Sequence, residues 1–190
     1  MTADPMVDLR KRFTVAEYEL MGEVGVFDPA DRVELLDGEI VYTSPISAGH
    51  AAVVDVLVAV LVTNLAGRAT VRGQNPLRLL PRSEPQPDVT VARYRRDFYR
   101  GAHPTAEDIL LLIEVADSSL RTDRAVKLPI YARQGIVEVW LVDLAANAVH
   151  VHTEPDGDSY AEVHTVHLGE PLKPSAIPNL ELRTADIFGE

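Results

Sequence analysis

The chain has 190 residues, of which 46% are hydrophobic and 25% are charged, and its formal net charge is −11. This composition is typical of a globular domain and excludes a largely disordered chain, a collagen-like repeat and a small scaffold that depends on disulfides. The absence of cysteine excludes thiolate zinc sites and cysteine nucleophiles. We expect a single domain over residues 1–190, because a domain has roughly 150 residues. A chain of this size also buries enough surface to fold without a metal.

No segment of the sequence indicates export or a membrane. The N-terminal stretch 1–12 has no apolar core of signal-peptide length. The most hydrophobic stretch, 51–62, is interrupted by Asp55 and is too short to span a bilayer. We therefore expect a cytoplasmic protein with no membrane partner.

The first third of the chain predicts a helix and a hairpin. Thr14-Val-Ala-Glu17 has the spacing of a capping box, which predicts a helix over 15–21. Asp37-Gly38 supplies the positive φ angles of a tight turn, and this predicts a hairpin of two strands over 32–36 and 39–43.

The middle of the chain predicts one long helix and several strands. Residues 50–65 are apolar on most sides, which predicts a largely buried helix. The run Ile109–Val115 is continuously apolar apart from one residue, as is typical of a strand buried on both faces. Shorter strands are predicted over 69–72, 77–80 and 88–92.

The last third predicts a helix over 122–134 that Gly135 closes and that Pro129 kinks or breaks. A buried strand is predicted over 136–143, outer strands over 149–152 and 161–168, and a proline-rich tail from Gly169 that wraps the surface. Because helices alternate with buried strands, the sequence predicts an α/β fold. Its parts are a mixed central β-sheet flanked by helices, an N-terminal hairpin and an outer β-meander.

Charge is unevenly distributed. Between Arg68 and Arg133 there are 12 basic and eight acidic residues, so this part is +4 and the remainder is −15. A basic centre on an acidic body is typical of a protein that turns one face toward an anion, although a solvated arginine-rich loop has the same composition. Residues 93–100 mix arginines with aromatic side chains, which suits either phosphate contacts with base stacking or a plain surface helix.

Two acids are candidates for chemistry. Glu114 stands inside an otherwise apolar strand, and a buried carboxylate is usually paired, protonated or bound to a cation. Alternatively, its side chain reaches solvent or an arginine at the end of the strand. Asp88 follows Pro87 at the start of another strand and could project toward Glu114. Two converging carboxylates require a cation between them, and such hard oxygen ligands favour Mg²⁺ or Mn²⁺ over zinc.

Lys127 is the third candidate. The chain has 15 arginines and only three lysines, and this lysine lies early in the helix predicted after the Glu114 strand. From there its flexible ammonium could reach the carboxylates and orient a metal-bound water. A lysine on the helix surface is the alternative interpretation.

Several motifs, taken together, resemble one known family. The chain is similar to the Uma-type restriction endonuclease family of the PD-(D/E)XK nuclease superfamily, over nearly its whole length from about Phe13. The motifs that carry the resemblance are Glu34-Leu-Leu-Asp-Gly-Glu39, Ser44-Pro followed by His50, Pro87-Asp-Val89, Ile113-Glu-Val115 and, most specifically, the stretch 123–143.

The resemblance implies a restriction-endonuclease-like core and a Mg²⁺- or Mn²⁺-dependent enzyme that hydrolyses DNA phosphodiester bonds. Asp88 and Glu114 match the two acids of the motif, and the backbone carbonyl of Val115 would complete the metal shell. A lysine in the usual place would stand at position 116, which is Ala116. In this family the lysine has moved to the following helix, where it corresponds to Lys127.

Glu34 and His50 complete the predicted site. Glu34 resembles the accessory acid that such nucleases bring to a metal, or it is a surface residue of the hairpin. His50 could contact a phosphate or act as a base near neutral pH, or it is a capping or packing histidine. DNA is the expected partner, and we expect a homodimer because nucleases that cut both strands often pair by two-fold symmetry.

Two other classes of function stay open at this stage. One is a catalytically inactive nuclease fold that serves as a binding or assembly module, which the negative net charge fits. The other is a zinc enzyme, since His150 and His152 would share one face of an outer strand.

Overall fold

The structure of the protein, a computed structural model, describes residues 10–28, 30–43, 45–117 and 123–189. Six of its strands form a central sheet in the order β3-β4-β5-β6-β7-β8, in which β5 and β6 are parallel and all other neighbours are antiparallel. The strands are β1 Val33–Leu36, β2 Glu39–Tyr42, β3 Ala69–Gly73, β4 Val89–Arg93, β5 Ile109–Ala116, β6 Glu138–Asp143, β7 Ala148–Asp156, β8 Ser159–His167, β9 Pro171–Leu172 and β10 Leu182–Arg183.

Helices cover both faces of this sheet, which confirms the prediction of a mixed central sheet within an α/β fold. The outer strands β7 and β8 extend the sheet itself as a long hairpin. The helical segments are α1 Val15–Glu23, α2 Ala48–Leu65, a 3-10 turn Ala106–Asp108, a π-helical turn Asp123–Lys127, α3 Leu128–Arg133 and α4 Thr184–Phe188.

The two local motifs near the N-terminus are formed as predicted. The Thr14 hydroxyl accepts the Glu17 N–H at 3.2 Å, and a Glu17 carboxylate oxygen accepts the Thr14 N–H at 2.8 Å. Asp37 and Gly38 turn the hairpin with φ angles of 48° and 82°. A Cβ atom on Gly38 would lie 2.8 Å from the Cβ of Arg12, so this turn also needs the absence of a side chain.

Strand β5 is buried on both faces, as predicted. Leu111 and Ile113 pack into the core that α2 and the C-terminal tail cover. Leu112 and Ala116 pack into a second core on the opposite face, with α3. Because side chains alternate along a strand, Glu114 points to the face that carries α3.

Helix α2 differs from the prediction of burial on most sides. One stripe of it is buried against the sheet, and the rest is half-exposed or exposed: His50, Val54, Leu57, Leu61 and Leu65 are buried. The helix has 18 residues, so it is longer than the hydrophobic stretch 51–62 that the sequence alone marks as too short to span a bilayer. With a mean hydropathy of 1.8, it is the one helix among the described residues that has the length and composition of a membrane span. A core helix that packs on a sheet has the same properties, and the buried stripe belongs to the sheet's core.

The predicted strand over 77–80 is wrong. Leu77 and Leu79 are buried, but the segment forms isolated bridges only, one of them between Leu79 and Ser83. Pro76 and Pro81 flank the segment, and proline has no N–H to donate to a neighbouring strand.

The helix predicted over 122–134 is present from residue 123, residue 122 lying outside the described part. Its break falls next to Pro129, where the π-helical turn gives way to α3. The tail lies at the surface with many exposed residues, as predicted, and its apolar side chains also complete the core beside α2: Leu172, Ile177, Leu180, Leu182 and Ile187 are buried.

The tail is held to the sheet by Glu138, whose side chain is buried on β6. One of its carboxylate oxygens accepts the Trp140 indole N–H at 2.6 Å. The other accepts both the N–H and the hydroxyl of Ser175, at 2.7 and 2.6 Å. These bonds satisfy the buried carboxylate and fix where the tail crosses the sheet.

We predict that Glu138→Ala lowers the free energy of unfolding by about 3 kcal/mol, because it leaves buried donors without an acceptor. Glu138→Gln keeps one amide oxygen as an acceptor and should cost less. Urea denaturation measures both values. Glu162→Ala, on the exposed side of β8, is the matched control and should change the free energy by less than about 0.5 kcal/mol; an equal effect of the two alanine variants would contradict the role of Glu138.

Candidate functional site

The two candidate acids lie at the same end of neighbouring strands. Val89 of β4 pairs with Ile113 of β5, so Asp88, which precedes β4, lies next to Glu114. An oxygen of the Asp88 carboxylate, Oδ2, accepts the N–H of Val115 at 2.9 Å. Asp88 and Glu114 are 8% and 3% exposed, respectively. The structure therefore brings together two buried acids that are 26 positions apart in the chain.

Three donors surround the Asp88 carboxylate. Besides the Val115 N–H, Nε2 of His50 lies 3.0 Å from Oδ2, and the Gln74 amide donates to Oδ1 at 3.1 Å. Burial by itself raises the pKa of this carboxyl, but the hydrogen bonds from His50, Val115 and Gln74 outweigh burial and place the pKa below its ordinary value. Asp88 is therefore held as a carboxylate.

His50 is positioned by the start of α2. Ser47 caps this helix and accepts the His50 N–H at 3.1 Å, while its hydroxyl donates to Asp117 at 2.8 Å. The hydrogen bond to Asp88 raises the pKa of the His50 imidazole, although burial opposes the shift. Its Nδ1 is buried and has no hydrogen-bond partner within the part of the chain that the structure describes.

Glu114 is contacted from α3 and from the π-helical turn before it. Nζ of Lys127 lies 3.1 Å from Oε1 of Glu114. The Tyr131 hydroxyl donates to the same oxygen at 2.5 Å. Tyr131 is completely buried, so this contact is shielded from water. The alternative in which Glu114 reaches solvent is wrong, and so is the placement of Lys127 on an open helix surface.

Glu34 on β1 joins this group and is not a surface residue. It is 2% exposed, and Nζ of Lys127 lies 3.4 Å from its carboxylate. Its Oε1 also accepts the N–H of Gln86 at 2.7 Å. Lys127 thus lies between two buried acids, Glu34 and Glu114.

Sequence reasoning missed Tyr131 and Gln74. A signal for Tyr131 existed, since residues four apart on a helix share a face and Tyr131 lies four positions after Lys127. The sequence carries no such signal for Gln74, because its amide contacts Asp88 only through the pairing of β3 with β4.

Comparison with known proteins identifies the family of the chain. Residues 15–185 match the model of the Uma2 family, whose description is "Putative restriction endonuclease". This chain belongs to the Uma2 family. The structure is also similar to the crystal structure, at 1.96 Å resolution, of "a putative nuclease belonging to DUF820" from Anabaena variabilis.

The likeness to that crystal structure extends over nearly the whole fold. The TM-score is 0.71, and the match covers 93% of this Uma2 chain and 98% of the other, at 18% sequence identity. An identity this low shows a shared fold only. No curated protein matches the chain.

The donor atoms of the Uma2 site suit a hard divalent cation. Asp88, Glu114 and Glu34 offer carboxylate oxygens, and Val115 offers a backbone carbonyl at the same strand end; oxygen ligands of this kind favour Mg²⁺ or Mn²⁺. No group of three or more histidine, aspartate or glutamate side chains among the described residues could hold a metal by itself. The Val115 carbonyl and water would therefore have to complete the coordination shell.

The described residues contain no group of three or more histidine or acidic side chains that could bind zinc, so the structure does not support the zinc alternative. His150 on β7 lies 3.7 Å from Asp143 and 3.0 Å from the Thr165 hydroxyl. The His152 ring packs edge-on against Tyr160, with ring centroids 5.7 Å apart. A hydrogen bond accounts for His150 and ring packing for the position of the His152 ring, whose buried Nε2 has no hydrogen-bond partner among the described residues.

We predict that His152 makes the protein less stable as the pH falls. Burial, with smaller contributions from His150 and Arg124, lowers the pKa of His152 from 6.5 to about 4. Below pH 6.5, His152 is protonated in the unfolded chain but stays neutral in the folded chain. The free energy of unfolding therefore decreases as the pH falls from about 6.5 toward 4. Urea denaturation at pH 7.5, 6.0 and 5.0 measures the loss, which His152→Gln should reduce. His164→Gln, exposed on β8, should leave the pH dependence as in the wild type; identical behaviour of the two variants would contradict the assignment.

Proposed function

We propose that this protein is a Mg²⁺- or Mn²⁺-dependent endonuclease that hydrolyses DNA phosphodiester bonds. One observation carries the proposal: the Asp88 carboxylate binds the N–H of Val115, while the carboxylate of the preceding residue, Glu114, contacts the ammonium of Lys127. Two buried acids beside a lysine form the arrangement that the resemblance to PD-(D/E)XK nucleases implies. Membership of the Uma2 family supports a nuclease.

Asp88, Glu114 and the backbone carbonyl of Val115 would hold the ion, and Glu34 would bind a second ion or a coordinated water. A bound divalent ion lowers the pKa of its water and polarises the scissile phosphate. The protein supplies the preorganised ligands, because all three acids are buried and fixed by hydrogen bonds before any substrate arrives.

Lys127 and His50 have different roles in this proposal. Lys127 lies between Glu34 and Glu114, from where its ammonium orients the attacking water and offsets the negative charge that develops on the phosphate. His50 binds Asp88 through Nε2, so we assign it to positioning that carboxylate, and the phosphate and base roles are secondary.

The basic middle of the chain supports DNA as the substrate. Residues 68–133 carry a charge of +4 on a chain of −11, and an excess of positive charge in one part of an acidic chain favours contact with phosphates there. A homodimer and a cytoplasmic location stay predictions.

A binding or assembly module is the second candidate. The observation in its favour is that each oxygen of Asp88 already has a hydrogen-bond partner, which a metal would have to displace or share. Such a protein would keep the fold and the contacts of the site without hydrolysing DNA.

We predict Mn²⁺-dependent nicking of supercoiled plasmid that falls at least about 100-fold in Glu114→Gln and in Lys127→Met. Glu162→Gln and Lys173→Met, both at exposed side chains, are the matched controls and should cleave as the wild type does. Agarose gel electrophoresis measures the rates.

The outcomes separate the two candidates. Equal cleavage by all five proteins would identify a contaminating nuclease and defeat the enzymatic proposal. A folded wild type with no cleavage in Mn²⁺ or Mg²⁺ would favour the binding module.

We predict that Tyr131→Phe weakens nicking about tenfold, because Glu114 loses a short hydrogen bond that positions its carboxylate. The concentration of Mn²⁺ that gives half-maximal rate should rise. Tyr160→Phe is the matched control, since the hydroxyl of Tyr160 is also buried but donates to the carbonyl of Ile136. Thermal unfolding should show lower stability for both variants; an activity loss of the same size in both would mean that Tyr131 acts through stability alone.

A further inference from the structure

The turn at the end of β4, over residues 94–100, carries an exposed aromatic and basic surface that the site does not use. The side chains of Tyr94 and Phe98 are 47% and 63% exposed. Their rings lie edge to face, with centroids 6.4 Å apart. Arg96 and Arg100 flank Phe98, and with Asp97 these residues line an open surface depression of about 610 Å³.

This turn has a rigid support beneath it. Tyr99 is 4% exposed, its hydroxyl donates to the Arg93 carbonyl at 2.8 Å, and the Arg95 guanidinium stacks on its ring at 4.6 Å. Arg95 also makes two hydrogen bonds with Asp97, at 2.7 and 3.0 Å. The surface is therefore preorganised before a ligand binds.

The backbone holds Phe98 in an uncommon conformation. Phe98 and Tyr99 have φ angles of 51° and 61°, in the left-handed region that bulky residues rarely adopt. Such conformations persist where the surrounding structure imposes them, and they are concentrated at ligand clamps and active sites. Here the conformation buries Tyr99 while it directs Phe98 to solvent.

The positive charge of this turn is accessible to an anion in solution. Asp97 neutralises Arg95, whereas Arg96 and Arg100 are exposed and make no ion pair with any described residue. Their two positive charges flank an exposed ring on a chain whose net charge is −11. Aromatic faces between cations are the chemistry that binds an unpaired base together with its phosphates.

We propose that residues 94–100 bind a single-stranded segment of DNA, with a base stacked on Phe98 and phosphates at Arg96 and Arg100. Unpaired bases are required, because in a duplex their faces are stacked on each other. This inference rests on the proposed function only in naming DNA as the strand. Asp88 lies at the other end of β4, and the five residues of that strand place about 17 Å between Asp88 and the start of this turn.

The test measures binding without cleavage. Fluorescence anisotropy of a labelled 20-mer of thymidine, in EDTA, is recorded with the full chain carrying Glu114→Gln. Within this background, Phe98→Ala should raise Kd about tenfold, and Phe98→Leu should raise it equally because leucine has no aromatic face. Phe98→Trp should bind as well as the parent. Together, Arg96→Gln and Arg100→Gln should reduce the slope of log Kd against log salt concentration by about 1.4.

Two controls separate binding from folding and from general electrostatics. Phe98→Gly suits a positive φ, so it should keep the melting temperature of the parent and yet bind as weakly as Phe98→Ala. Arg183→Gln removes an exposed arginine on β10 and should change Kd by less than twofold.

Several results would overturn the inference. The first is that the protein binds a 20-base-pair duplex as tightly as the single-stranded 20-mer. The second is that Phe98→Ala binds the 20-mer as tightly as the parent does. The third is that Arg183→Gln weakens binding as much as the substitutions in residues 94–100 do. A dimer in sedimentation analysis that Phe98→Ala dissociates, without oligonucleotide binding, would assign the surface to a second copy of the chain. The protein could bind the oligonucleotide through Phe98 and yet never nick plasmid. That result would contradict the proposed nuclease activity and would support the binding surface.

Discussion

The hydrogen bond from the Val115 N–H to the Asp88 carboxylate joins β4 to β5 where both strands reach the candidate site. Because Asp88 is buried, its charge depends on this donor together with His50 and Gln74. A buried carboxylate without such partners is unfavourable by several kcal/mol. The same peptide unit carries Glu114 on one side, so the bond that stabilises one acid also sets its distance from the other.

The position of the lysine follows from the packing around β5. Ala116, where a lysine would stand in the usual motif, is completely buried within an apolar cluster beneath α3. A lysine side chain there would be forced into the core. Lys127 instead approaches from the helical side and lies between Glu34 and Glu114, so the site has an ammonium without disturbing the sheet.

Strand β4 serves two different surfaces at its two ends. At the Asp88 end, buried polar groups satisfy one another and are held for chemistry. At the other end, Tyr99 is anchored so that Phe98 stays exposed. Both ends depend on precise local geometry, which a strand inside a six-stranded sheet can provide because its neighbours fix it on both sides.

The sequence by itself determined the features whose causes are local: the capping box at Thr14, the hairpin turn at Asp37-Gly38, the burial of β5 and the unusual place of Glu114 within it. Only the tertiary structure decided that Glu34 is buried against Lys127, 93 positions later in the chain, and that the proline-rich tail belongs to the core. The spacing of residues along a chain encodes helix faces and strand faces. It does not encode which distant faces meet, because that depends on packing the whole set of elements at once.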